Sequence, residues 1–122
     1  AVALRARRHG VGLAGTDDEG GYGGLSLRVA HPQQAEIESD GRVLHATVAG
    51  MQTGEWVAFN WRVPPPPWPA RIAASCQVDG HAWTRWVLRQ EPSMQNCAFP
   101  GAAPTVVPRD GVMRLGLSLL VE

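Results

Sequence analysis

Apolar and polar residues alternate in many short stretches of this chain, which is the pattern of half-buried β-strands. The alternation is clearest in residues 55–63, where Val57, Phe59 and Trp61 share one face and Trp56 and Ala58 share the other. Similar stretches predict strands at residues 1–8, 11–14, 25–30, 33–38, 42–49, 71–78, 83–90 and 112–122. No stretch has the sustained 3.6-residue period of an amphipathic helix. Residues 91–104 are predicted to be irregular.

Turn signals separate these stretches. Asp40-Gly41 and Asp79-Gly80 are two-residue hairpin signals. Residues 64–69, PPPPWP, predict a stiff polyproline II connector that crosses between sheets, with Trp68 as the most exposed tryptophan. The pattern as a whole favours a sandwich or a barrel. We predict one all-β domain over residues 1–122, an antiparallel β-sandwich of about eight strands with no substantial helix.

Composition narrows the classes of function. Among 122 residues, 11 are basic and 11 acidic, so the net charge is zero. This balance argues against a non-specific nucleic-acid binder, which needs a basic excess. Every basic residue is Arg, which excludes Schiff-base chemistry and a P-loop lysine. No apolar run is long enough to predict a membrane span. Because the chain opens directly in a strand-like pattern without Met, we expect a processed product or a fragment, and an incomplete sandwich.

Two cysteines, Cys76 and Cys97, form the only available intrachain pair. The pattern is compatible with a disulfide and equally with two buried free thiols. A disulfide would suit an exported protein, so a secreted or periplasmic location is favoured.

An acid- and glycine-rich segment at residues 16–24 precedes the strand at residues 25–30. Asp17, Asp18 and Glu19 could supply a general acid or base, or oxygen ligands for Ca²⁺. A solvated turn is the alternative interpretation. The glycines around Tyr22 precede a strand and not a helix, so they do not predict a phosphate site. The four histidines lack metal-ligand spacing. We therefore predict neither a metal nor a cofactor.

The two tryptophans of the stretch at residues 83–90 are three positions apart. In one continuous strand, Trp83 and Trp86 would point to opposite faces. One of them is then expected in the core, and the other as a platform or a cover at the surface.

Three segments resemble the C-terminal part of the bacterial PmoA-like family. They are EGGYGG at residues 19–24 followed by Leu27-Arg28-Val29, Trp86-Val87-Leu88-Arg89, and residues 96–101 with Asp110-Gly111 and the last strand. Proteins of that family are thought to form a β-supersandwich akin to galactose mutarotases. The resemblance implies a supersandwich-like fold and a carbohydrate-related role, with several of these residues near one pocket.

Two functional hypotheses follow. The first is a sugar-binding or sugar-processing sandwich whose pocket lies between the acidic loop and the Trp-rich strand. Glu19 is its candidate catalytic acid or base, although the sequence leaves open whether the protein is an enzyme. Its candidate ligand-binding residues are Asp17, Tyr22, Arg28, His81, Trp86 and Arg89. The second hypothesis is a structural or assembly module whose sheet edges pair in a homo-oligomer or with a partner chain.

Overall fold

The computed structural model describes residues 2–8, 10–13, 23–47, 49–91, 93–101 and 103–122. The all-β prediction is confirmed, but the number of strands is higher than about eight. The described residues form β1 (Val2–Arg5), β2 (Val11–Leu13), β3 (Leu25–Leu27), β4 (Ala35–Ser39), β5 (Arg42–Leu44), β6 (Met51–Gln52), β7 (Trp56–Trp61), β8 (Arg71–Val78), β9 (His81–Trp83), β10 (Arg85–Gln90), β11 (Ser93–Cys97), β12 (Thr105–Val107) and β13 (Val112–Val121). One 3₁₀ turn, Pro32–Gln34, precedes β4.

The strands form a large sheet, a small sheet and a separate pair, and all their pairings are antiparallel. The large sheet has the order β1-β13-β8-β7-β4-β5, and β9 continues beside the end of β8. The small sheet has the order β3-β11-β10-β6. The separate pair consists of β2 and β12. This arrangement is sandwich-like, as the sequence pattern predicts.

The core lies between the large and small sheets. Alternation explains its composition, since every second residue of β7 and β8 faces the small sheet. Burial of these apolar side chains is the main stabilising contribution to such a fold. The buried cluster comprises Val29, Ala35, Ile37, Val57, Phe59, Trp61, Ile72, Ala74, Cys76, Trp86, Leu88 and Cys97.

Both predicted hairpins are confirmed. Asp40 and Gly41 have φ angles of 51° and 72° and join β4 to β5. Asp79 and Gly80 have φ angles of 50° and 79° and join β8 to β9. Positive φ at both central residues is the signature of the type I′ turn, whose twist matches that of the flanking strands.

The chain switches sheets at Thr84, within the stretch predicted to be one strand. β9 pairs with β8 in the large sheet, whereas β10 pairs with β11 and β6 in the small sheet. Trp83 and Trp86 therefore approach the core from two different sheets. The prediction that they take opposite faces was wrong, because it assumed one uninterrupted ladder.

The segment predicted to be irregular contains β11, a central strand of the small sheet. Several of its side chains are polar, so β11 lacks the alternation of apolar and polar residues that predicts the other strands. Gln95 accepts a hydrogen bond from the Val29 amide at 3.2 Å and donates one to the Arg89 carbonyl at 2.9 Å. Because these buried polar groups are satisfied by backbone partners, a polar sequence is tolerated inside the sandwich.

The proline-rich connector joins β7 to β8, which are neighbours in the same sheet. It is therefore not a crossover between sheets. Trp68 is half-buried and packs edge-on against Trp61, with ring centroids 5.7 Å apart. The tryptophan with the greatest exposure among the described residues is Trp56, at 41%.

Candidate functional site

The predicted site residues that the structure describes do not all lie in one place. Asp17, Glu19 and Tyr22 lie outside the described residues, so the roles assigned to them stay predictions. The structure describes the other four residues, Arg28, His81, Trp86 and Arg89.

Arg28 and Arg89 lie on either side of the same residue, Met94 of β11, in the small sheet. Leu27 pairs with Gln95, and Arg89 pairs with Met94. Continuing this register places Arg28 beside Met94, so the two arginines flank the middle strand. Their backbones are about 10 Å apart, two strand spacings. Both residues alternate with core residues and therefore belong to the outer face of the sheet. The two arginines are thus neighbours on this face, and their predicted role in ligand binding stays a prediction.

Arg89 also lines a small cavity of about 200 Å³ with Ala46, Thr47, Gln90 and Glu91. The volume is below the roughly 300 Å³ at which small-molecule sites typically begin. A cavity of this size could take an ion or water cluster more readily than a sugar ring.

Trp86 and His81 are separated from the two arginines. Trp86 is 0% exposed and lies in the core, so it is not available as a ligand platform. Trp86 shares the core-facing side of β10 with Leu88 and lies opposite the buried Cys97. His81 is exposed on β9, which belongs to the large sheet.

A disulfide between Cys76 and Cys97 joins the two sheets, with their Cα atoms 6.2 Å apart. This pairing was one of the two alternatives that the sequence left open. Trp83 lies directly opposite Cys76 in the large sheet, and Trp86 lies directly opposite Cys97 in the small sheet. Both tryptophans thus serve to pack the centre of the core.

The more promising cavity lies on the outer face of the large sheet. Its volume is about 360 Å³, within the range of small-ligand sites. Trp56 contributes the exposed aromatic surface. We call this the Trp56 cavity; it is lined by Glu38, Ser39, Asp40, Gly41, Glu55, Trp56, Ala58 and Arg71.

Three neighbouring strands and one hairpin position the lining residues. Glu38 of β4 pairs with Ala58 of β7. Asp40 lies in the type I′ turn that joins β4 to β5. The Ser39 hydroxyl donates to the Trp56 carbonyl at 2.7 Å and accepts from the Gly54 amide at 2.8 Å. These two bonds fix the backbone at the start of β7. Trp56 is consequently presented from a rigid strand and not from a mobile loop.

The charges in the Trp56 cavity are mainly acidic. Arg71 is held by Glu38 at 3.3 Å and Glu122 at 3.5 Å, and its Nε donates to Asn60 at 3.1 Å. Glu38, Asp40 and Glu55 together outnumber this single cation. Ionised carboxylates only accept hydrogen bonds, so the cavity suits a ligand rich in donors.

The sequence reasoning missed this cavity, although it contained one signal. Alternation in residues 55–63 placed Trp56 on the face opposite Val57 and Phe59. A large aromatic residue on the solvent side of a strand is a candidate for ligand contact. Glu55 is adjacent to Trp56 in sequence, but Glu38 and Asp40 could not be associated with it, since they reach the cavity only through the β4–β7 pairing.

Comparisons with protein-family models, curated proteins and solved structures gave no match to this chain. In the part of the chain that the structure describes, no three His, Cys, Asp or Glu residues are grouped so that they could hold a metal ion. Over the same residues, no helix has the length and apolarity to cross a membrane.

Proposed function

We propose that this protein binds a saccharide in the Trp56 cavity. The observation that carries the proposal is the exposure of Trp56 beside three carboxylates in a cavity of about 360 Å³. A sugar ring has an apolar C–H face that can stack on an indole ring, and its hydroxyl groups can donate to carboxylates.

The indole of Trp56 is the aromatic surface that is open to a ligand in this cavity. The next residues on this face of the sheet are Ala58 and Ser75, at 2% and 0% exposure. Because these two side chains are covered, the half-exposed indole of Trp56 supplies the apolar surface that a ligand can reach here. A planar or chair-shaped ring is the ligand shape that stacks best on such an aromatic surface.

The charge pattern favours neutral sugars over acidic ones. A carboxylate on the ligand would meet Glu38, Asp40 and Glu55, whereas Arg71 is already engaged by Glu38 and Glu122. Placing like charges together disfavours binding. We therefore expect neutral saccharides to bind more tightly than uronic acids.

The resemblance to PmoA-like proteins supports the same class of ligand but assigns it to a different pocket. That pocket, between the acidic loop and the Trp-rich strand, would include Glu19. Because Trp86 is buried, the Trp56 cavity is the better supported location. The proposal concerns binding and includes no catalytic step.

Calorimetric titration with a panel of neutral mono- and oligosaccharides tests the proposal. We expect at least one to bind, and Trp56→Ala to weaken its affinity by roughly tenfold or more. The matched control is Val106→Ala, which truncates another exposed apolar side chain on β12, outside the large sheet. Absence of binding by the whole panel, or unchanged affinity in Trp56→Ala, contradicts the proposal.

A further inference from the structure

A second cavity lies farther along β4 and β7 than the Trp56 cavity. Its volume is about 480 Å³, again within the range of small-ligand sites. The Trp61 side chain belongs to the core, so the groups that a ligand could reach here are polar. We call this the Arg62 cavity; it is lined by Gln34, Glu36, Asn60, Trp61 and Arg62.

The strand register places the two cavities on one surface. Glu38 and Ala58, which line the Trp56 cavity, pair with each other. Glu36 and Asn60, which line the Arg62 cavity, are the next pair on the same face. Residues two positions apart on a strand share a face and lie about 7 Å apart. The floors of the two cavities therefore adjoin along β4 and β7.

The Arg71 side chain lies at the boundary between the cavities. Arg71 of β8 pairs with Asn60 of β7, yet its guanidinium reaches Glu38 of β4 at 3.3 Å. Because β7 lies between β8 and β4, this ion pair crosses β7 on the outer face of the sheet. The Arg71 Nε also donates to the Asn60 side chain at 3.1 Å. Arg71 thus contacts one lining residue of each cavity.

The Arg62 cavity offers both donors and acceptors of hydrogen bonds. The amides of Gln34 and Asn60 can donate and accept, the Glu36 carboxylate accepts and the Arg62 guanidinium donates. Among the described residues, none forms a hydrogen bond or an ion pair with the side chains of Gln34, Glu36 or Arg62. Sugar hydroxyl groups also donate and accept, so this set of side chains matches them.

We propose that the saccharide bound at Trp56 is a linear, neutral oligosaccharide that continues across Arg71 into the Arg62 cavity. This inference rests on the proposed saccharide site and extends it. One ring stacks on the Trp56 indole. A later ring of the same chain accepts a hydrogen bond from Arg62 and exchanges hydrogen bonds with Gln34 and Asn60.

The length of the surface favours an oligosaccharide over a single ring. The backbone from Trp56 to Arg62 follows β7 and extends over about 20 Å. One ring cannot contact both ends of this surface, whereas a linear chain of rings can place a ring in each cavity. Arg71 does not interrupt such a chain chemically, because its guanidinium has five N–H donors and can donate to a hydroxyl that lies over it.

Calorimetry with saccharides of increasing length tests this inference. The probes are glucose, mannose and galactose, each compared with its linear disaccharide and trisaccharide. We expect at least one trisaccharide to bind roughly tenfold more tightly than its monosaccharide, since it adds hydrogen bonds in the Arg62 cavity. Arg62→Ala and Gln34→Ala should each remove much of this gain and leave the affinity for the monosaccharide unchanged. The matched control, Arg114→Ala, removes an exposed arginine of β13 that lines neither cavity, and it should change neither affinity.

Trp56→Ala separates this inference from the proposed function. It should weaken the monosaccharide and the trisaccharide alike, because both contact the indole. If the trisaccharide binds no more tightly than the monosaccharide, the inference is overturned while saccharide binding at Trp56 stands. The same holds if the trisaccharide's advantage survives both Arg62→Ala and Gln34→Ala. If no saccharide of any length binds, the inference and the proposed function are both overturned.

Discussion

Cys76 of the large sheet and Cys97 of the small sheet are bonded to each other across the core, and each lies directly opposite a tryptophan of its own sheet. Trp86 belongs to the buried core cluster, and Trp83 packs against that cluster. Trp83 is further fixed by a 3.0 Å hydrogen bond from its Nε1 to the Ala98 carbonyl. The sheets are thus linked covalently at the point where the largest side chains pack.

Replacing both Cys76 and Cys97 by Ala should lower the free energy of unfolding by about 3 kcal/mol. The bond closes a loop with a sequence separation of 21 residues, which restricts the unfolded chain. Urea unfolding followed by tryptophan fluorescence measures the change. The parent protein under reducing conditions is the control and should show a similar loss. If the parent and the double variant unfold at the same urea concentration, the disulfide does not stabilise the protein and the prediction is wrong.

Two glycines with similar backbone angles should lose different amounts of stability when each is replaced by alanine. Gly24 and Gly41 have φ angles of 70° and 72°. A Cβ at Gly41 meets no neighbour within 4 Å, so Gly41→Ala should cost only backbone strain, about 1 kcal/mol. A Cβ at Gly24 would overlap the Cys97 carbonyl oxygen. Gly24→Ala should therefore lower the melting temperature more than Gly41→Ala does. The reverse order would contradict the close contact between Gly24, just before β3, and Cys97 of β11.

Asn96→Asp should lower the free energy of unfolding by roughly 2 kcal/mol, because Asn96 holds the small sheet to the chain before β3. The Asn96 amide nitrogen donates to the Gly23 carbonyl at 2.6 Å and the Leu25 carbonyl at 3.2 Å. A carboxylate cannot donate and would face these oxygens in a buried position. Chemical denaturation measures the effect. The control is Ser26→Ala, which removes only one partner of the same amide and should cost less.

Local features explain which parts of the fold could be predicted from the sequence. The bounds of β8 and both Asp-Gly hairpins were predicted correctly, because an apolar run and a turn preference are encoded by adjacent residues. β11 was missed, because its burial depends on bonds from Gln95 and Asn96 to residues far away in sequence. The sheet switch at Thr84 likewise has no local signature.

The site was harder to predict than the fold. The Trp56 cavity exists because β4 and β8 flank β7, so its acids come from separate parts of the chain. Trp86 was predicted to bind a ligand, but it lies in the core, and the predicted roles of Arg28 and Arg89 stay predictions. The proposed roles of Asp17, Glu19 and Tyr22 stay predictions.

The central claim is that Trp56 contacts a saccharide, and NMR of the five indole Nε1–H signals tests it most directly. Trp→Phe variants assign each signal, and a saccharide that binds is then titrated. We predict that the Trp56 signal shifts with saturation, while those of Trp61, Trp68, Trp83 and Trp86, which belong to or pack against the core, change little. Binding that leaves the Trp56 signal unchanged would contradict the account.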